Sequence, residues 1–236
     1  MYDFTELLNK KNILNDKKFT RLVSYPRTGS HWLRVLLEKY TGDTCFVRGF
    51  YDKSPKNFWG FHVHNREINK FEPSEGVVDN LEKVIYLYRE PCDTIFSLLK
   101  YEKIIKEAWK GKVDDMIEEK TIQYAHEYQK HLERWKINNS DVGQMLLINY
   151  NDLKNNPEET FKKIVLFLNY EWNGKKFNTT YNETNKQSIK KVTLHDNSVI
   201  HNEEINYKEI TQIQRKIYKN KFKTKIYQII GDCYDS

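Results

Sequence analysis

The 236-residue chain predicts one α/β domain, a central parallel β-sheet with helices packed on it. Two observations carry this. Strand-like runs at 21–25, 58–64, 83–88 and 145–150 alternate with helical stretches at 31–40, 93–109, 117–136 and 157–168. Such alternation builds a parallel sheet joined by crossover helices. The length also suits a single substantial core, so residues 1–236 are read as one domain, with 1–19 as a lead-in.

The first strand, Arg21-Leu22-Val23-Ser24, runs into Tyr25-Pro26-Arg27-Thr28-Gly29-Ser30-His31-Trp32. That turn carries one glycine and two hydroxyls, and Leu33-Arg34-Val35-Leu36-Leu37-Glu38 after it has helical apolar spacing. A strand, a tight turn and a helix start present backbone N–H donors to a phosphate. The turn is not the GxxxxGK[ST] loop of ATP and GTP enzymes, because Ser30-His31 follows Gly29. In the second strand, Phe61-His62-Val63-His64, residues two apart share a face, so both imidazoles are expected to project the same way.

Lys83-Val84-Ile85-Tyr86-Leu87-Tyr88 is rich in β-branched and aromatic residues and reads as a strand. It continues into Arg89-Glu90-Pro91-Cys92-Asp93, where a proline beside an acid marks a helix start. Arg89 and Ser97 lie eight residues apart across this junction. A guanidinium at a strand end and a hydroxyl on the next helix can clamp a phosphate.

In the third helix Ile122, Ala125, Tyr128, Leu132 and Trp135 mark one apolar face. The strand Met145–Tyr150 leads to Asn155-Asn156-Pro157-Glu158-Glu159, a helix start with acids in its first turn. A last helix is expected over about 208–230, with Ile210, Ile213, Ile217, Phe222, Ile226 and Ile229 inward. Residues 171–206 show little periodicity and read as loop with short elements, a substrate- or cofactor-covering region.

Net charge is +6, which suits an anionic ligand such as a bisphosphorylated nucleotide and would also suit a nucleic acid. Cys45, Cys92 and Cys233 form no CxxC pair and no metal or disulfide framework. The first residues, Met1-Tyr2-Asp3-Phe4-Thr5, show no basic stretch leading into an apolar one. No apolar run approaches the roughly 18–20 residues that span a bilayer. A cytoplasmic protein in a reducing compartment is the expectation.

The 25–32 segment resembles the phosphosulfate-binding loop of sulfotransferases that use 3′-phosphoadenylyl sulfate (PAPS), with its Tyr-Pro-Lys-Ser-Gly-Thr-x-Trp pattern. Tyr25, Pro26, Gly29 and Trp32 match, and Arg27, Thr28 and Ser30 match conservatively. Arg89 and Ser97 keep the family's Arg-x-Pro spacing, and Tyr150-Asn151-Asp152-Leu153 with Asn156-Pro157 resembles its Tyr-Glu-Asp-Leu…Asn-Pro segment. The resemblance covers roughly residues 20–170 and implies a P-loop-like three-layer fold. It implies that Arg27, Thr28, Gly29, Ser30, His31 and Trp32 hold the phosphosulfate of PAPS, and that Arg89 and Ser97 hold the 3′-phosphate. Trp32 and Tyr150 would sandwich or edge the adenine, unless they are plain core.

Arg27 stands where the family has a lysine against the leaving group; it supplies the charge but donates no proton at neutral pH. His64 falls on the family's catalytic base, with His62 and Glu67 as the other candidates, and a His-x-His metal pair or a structural pair as competing readings. The family's closing Arg-Lys-Gly-x-x-Gly loop is missing, since no glycine lies between Lys175 and Tyr227. Lys176, Lys186, Lys190 and Lys191 could supply its charge.

The activity implied is sulfuryl transfer from PAPS to a hydroxyl or amine, leaving 3′-phosphoadenosine 5′-phosphate (PAP), with no metal. The acceptor is a small molecule, lipid or glycan, and no nucleic acid partner or membrane span is expected. A kinase-like phosphotransferase and a non-catalytic nucleotide- or RNA-binding module are the alternatives.

Overall fold

The computed structural model describes residues 20–45, 58–64, 81–102, 114–140, 142–184 and 205–235. Five parallel strands form the sheet: β1 (Thr20–Ser24), β2 (Thr44–Cys45), β3 (Phe58–His64), β4 (Leu81–Tyr88) and β5 (Val142–Asn149). Their spatial order is β2-β3-β1-β4-β5. Every strand therefore ends on the same edge.

Seven helices are described: α1 (Ser30–Thr41), α2 (Pro91–Tyr101), α3 (Asp114–Leu132), α4 (Tyr150–Asn155), α5 (Pro157–Phe167), α6 (Gly174–Glu183) and α7 (Ile205–Asp235). They cover both faces of the sheet, and the strand alternation shows why. On β1, Leu22 joins one core and Val23 the other; on β4, Ile85 and Leu87 oppose Val84 and Tyr86. The first core takes Leu33, Leu36 and Leu37 from α1, Phe161, Ile164 and Val165 from α5, and Phe177 from α6. The second takes Ile95, Phe96 and Leu99 from α2, Tyr124, Ala125 and Tyr128 from α3, and Phe222, Ile226 and Ile230 from α7. This is the expected three-layer α/β arrangement, and strands buried on both faces explain their near-continuous apolar runs.

Several elements depart from expectation. β5 begins at Val142, three residues early, because its first residues, including Gly143 and Gln144, are exposed and carry no apolar signal. Tyr150 starts α4 rather than ending the strand, with Asn149 capping the helix by accepting from the Asn151 N–H at 2.9 Å. α3 closes in a π-helical turn over Glu133–Ile137. The 171–206 region contains α6, which sequence periodicity concealed; Asn173 caps it, and Phe177 packs against Phe161 and Trp172. On α7, Phe222 and Ile226 face inward as expected, but Ile217 is 52% exposed and Ile230 takes the buried place. The two-residue β2 is too short to register as a period.

Candidate functional site

The β1–α1 junction is a turn held in shape from within. Thr28 is buried, and its hydroxyl donates to the Tyr25 carbonyl at 2.8 Å. Arg27 and Gly29 both adopt left-handed backbone, with φ of 71° and 105°. Gly29 has a second reason to be glycine: a Cβ there would lie 2.4 Å from the Tyr150 ring. α1 then starts with Gly29 at its N-cap, no side-chain cap hydrogen bond and no acid in the first turn. The first N–H groups of a helix have no intrahelical partner and sit at the positive end of its dipole. Ser30, His31 and Trp32 occupy this first turn.

The neighbouring β4–α2 junction presents Arg89. Its backbone is locked by Tyr128, whose hydroxyl accepts from the Arg89 N–H at 3.0 Å and donates to the Arg89 carbonyl at 2.7 Å. Burial raises the Tyr128 phenol well beyond its ordinary value, so it stays a neutral donor. Glu90 caps α2, accepting from the Cys92 and Asp93 N–H groups at 3.0 and 2.6 Å. Burial first, then Glu90, push the Cys92 thiol up to about 12, so it is not a nucleophile at neutral pH. The Arg89 guanidinium lies 4.7 Å over the Tyr150 ring, and its buried Nε has no hydrogen-bond partner among the described residues.

Side chains tie the two junctions together. Arg89 Nη1 donates to the Arg27 carbonyl at 3.2 Å, and Arg27 Nε donates to the Ser97 hydroxyl at 3.3 Å. Arg27 also lies 4.8 Å over the Tyr101 ring. Burial, with smaller contributions from the charges of Arg89 and Arg215, lowers the Arg27 pKa. An arginine starts so high that it remains charged at neutral pH.

Arg27, Thr28, Gly29, Ser30, His31, Trp32, Arg89, Ser97 and Tyr150 therefore lie around these two neighbouring junctions. Ser97 bonds Arg27 rather than Arg89. Trp32 and Tyr150 meet edge-on, 6.2 Å apart at 75°. The two rings are near perpendicular rather than parallel. His64 ends β3, in register with Ser24, the residue before Tyr25. It thus stands at the same sheet edge, one strand from the turn. His62 pairs with Leu22, further back. Glu67, Lys186, Lys190 and Lys191 lie outside the described residues, and Lys176 lies on α6, over the Tyr40 ring.

Five neighbours were not read from the sequence as belonging to the site: Tyr101, Arg215 and Lys219, together with Asp93, read only as a helix-start acid, and Tyr128, read only as part of an apolar face. Only Asp93 carried a local signal, four residues after Arg89, to which it pairs at 3.6 Å. Arg215 and Lys219 reach it from α7, more than a hundred residues downstream.

Residues 19–236 match the model of the sulfotransferase domain. The chain is 25% identical over 172 residues to cytosolic sulfotransferase 13 of Arabidopsis thaliana, a match covering 63% of this chain and 53% of that protein. It is likewise 25% identical over 172 residues to sulfotransferase 1A1 of Mus musculus, covering 61% and 57%. The aligned region thus spans about half the length of these curated relatives. Among solved structures, mouse sulfotransferase SULT7A1 complexed with PAP superposes with a TM-score of 0.49 at 19% identity, covering 98% of this chain and 91% of that one. With the family match running over nearly its whole length, the chain belongs to the sulfotransferase family.

Proposed function

We propose that the protein transfers the sulfuryl group of PAPS to a hydroxyl or amine of an acceptor. The observation that carries this is the uncapped start of α1: a left-handed turn and a helix N-terminus with neither side-chain cap nor acid, flanked by Arg27 and Arg89. Donors and charges so arranged fit two phosphate groups held on one edge of a sheet, where ligands of open α/β folds gather.

In this reading the N–H groups of the 27–32 turn hold the donor's 5′-phosphosulfate, while Arg89 and Ser97 hold its 3′-phosphate. Trp32 and Tyr150 border the adenine. His64 takes the proton of the acceptor hydroxyl as the new O–S bond forms and the bond from sulfur to the phosphate oxygen breaks. Arg27 faces the negative charge that grows on that departing oxygen; stabilisation of charge present only in the transition state raises turnover. Transfer is direct and in line, without a covalent enzyme intermediate, and invokes no metal. A cytoplasmic location belongs to the same proposal, in keeping with a relative named as cytosolic.

Calorimetry with PAP and ATP, paired with a screen of phenol, alcohol, amine and glycan acceptors using radiolabelled PAPS, tests it. PAP binding in the micromolar range without ATP binding, and label transferred to at least one acceptor, are expected. His64→Ala should then lose about a hundredfold or more in kcat with PAP binding kept, since a general base contributes roughly 10²–10⁴-fold. ATP binding in place of PAP would favour a kinase-like phosphotransferase instead.

A further inference from the structure

Among the described residues, the first two turns of α2 gather more basic than acidic side chains. Arg27, Arg89, Arg215 and Lys219 meet there, and the acids set among them are Glu90 and Asp93. Lys219 takes up most of what the acids offer. Its ammonium lies 2.8 Å from Asp93 Oδ1 and 3.5 Å from Glu90 Oε2. Glu90 is further engaged by two helix N–H groups and the Tyr227 hydroxyl. Arg89 and Arg215 are left with the two oxygens of one carboxylate, Asp93, at the looser distances of 3.6 and 3.7 Å. Arg27 has a hydroxyl and an aromatic face but no acid among the described residues.

These guanidinium groups belong to three separate pieces of chain. Arg27 comes from the β1–α1 turn, Arg89 from the end of β4 and Arg215 from α7, all converging on the Asp93–Ser97 face of α2. Arg215 is anchored there by a second bond, donating to the Asp93 carbonyl at 3.3 Å. Its side chain keeps 29% exposure, so it is not sealed in the interior. Burial lowers its pKa, and the nearby Arg89 charge lowers it further, which is repulsion that a bound anion would relieve.

Among the described residues, four cations against two acids leave an excess of two positive charges in a half-buried cluster, which fits a dianion. A phosphate monoester carries about −1.5 to −2 charges at neutral pH and presents three acceptor oxygens, and an arginine fork matches two of them at once. We propose that Arg215, delivered by the C-terminal helix, is a binding residue for the donor's 3′-phosphate alongside Arg89. Asp93 holds Arg215 at that position through its carbonyl and carboxylate. The proposal rests on the PAPS assignment above.

Isothermal titration of wild type, Arg215→Gln and Arg215→Lys with PAP and with AMP, which lacks the 3′-phosphate, tests it. Glutamine keeps a donor for the Asp93 carbonyl and removes the charge. Arg215→Gln should bind PAP about 10- to 100-fold more weakly, the scale of a charged hydrogen bond, with AMP affinity unchanged. Arg215→Lys should fall between the two. A Gln variant that keeps the wild-type ratio of PAP to AMP affinity overturns the proposal. So does one that loses both ligands equally with a lowered melting temperature, which would make Arg215 a tether for α7. Wild type that binds PAP no better than AMP removes the 3′-phosphate site altogether and sinks the donor assignment itself.

Discussion

Two junctions leave the same edge of the sheet through adjacent strands, and they finish their helices in opposite ways. At β4–α2 the N-terminus is satisfied from inside the protein: Glu90 accepts two N–H groups, Asp93 supplies an acid, and Pro91 removes a donor. At β1–α1 the helix begins at a left-handed glycine with no cap and no acid. Both are strand-to-helix turns carrying an arginine, yet only the first is capped by its own side chains. The closed junction fixes where Arg89 stands; the open one is the proposed anion site. A capped helix typically gains about 0.5–2 kcal/mol over an uncapped one, so α1 forgoes stability at the place where the ligand is proposed to bind.

The largest effect should come from closing the open junction. Gly29→Ala asks for alanine at φ 105° and drives a methyl group to 2.4 Å from the Tyr150 ring. Left-handed backbone costs about 1–2 kcal/mol, and forced overlap about 1–3 more. Gly42, the left-handed cap at the other end of α1, has nothing within 4 Å of its virtual Cβ. Gly42→Ala should therefore show the first cost alone. Denaturant unfolding of both variants measures the difference, and PAP binding should suffer only in Gly29→Ala. Equal destabilisation in the two would mean that the Tyr150 ring yields freely and is no fixed floor for the turn.

Next comes the arginine of the open junction. Arg27→Ala should lower kcat by about 10²-fold, the scale for removing a transition-state charge partner, with a smaller loss of PAP affinity. Arg27→Lys should stay active, since the ammonium restores both charge and a proton donor. Steady-state kinetics with radiolabelled PAPS separates the two parameters. An alanine variant with wild-type kcat would take Arg27 out of the chemistry and leave it a structural link to Ser97.

The closed junction should break differently. Glu90→Ala strands two helix N–H groups and the Tyr227 hydroxyl, and it loosens Lys219. A loss of about 1–2 kcal/mol in stability is expected, read by thermal unfolding, with PAP affinity changed little. The reverse pattern, intact stability and lost binding, would make the two junctions equivalent and end the contrast.

How far the sequence alone reached follows the range of each interaction. β1 and β4 were legible because strands buried on both faces are nearly continuous apolar runs, and each carries its signal locally. The turn at 25–32 and the Arg89–Ser97 spacing were legible for the same reason. α6 was not, because Phe177 and Tyr181 alone mark its inner face and the rest of its composition reads as loop. Ile217 was misplaced because a long helix written largely in lysine and isoleucine offers two plausible apolar stripes, and only the packing of Phe222, Ile226 and Ile230 chooses between them. Tyr128, Arg215 and Lys219 act across separations of 39, 122 and 126 residues. No local pattern announces a partner at that distance.

The smallest expected effect sharpens the comparison through pH. Burial by itself would raise the Asp93 carboxyl, but the Lys219 hydrogen bond and charge, backed by Arg89 and Arg215, hold it below the ordinary aspartate range. A carboxyl depressed in the folded state binds protons more readily when unfolded. Its stabilising contribution is therefore fully present above the unfolded pKa, about 3.9, and is lost as pH falls through the lower folded value. Asp93→Asn should accordingly melt below wild type at pH 7, and the two curves should converge as the pH drops below about 4. The side chain is a third exposed, so solvent and salt screen the effect, and added salt should narrow the gap at pH 7. α1 has no acid in its first turn, so the open junction contributes no such acid-side loss. A gap that stayed constant from pH 7 to pH 3 would mean that Asp93 acts through hydrogen bonding alone, and that the two junctions differ in geometry but not in charge.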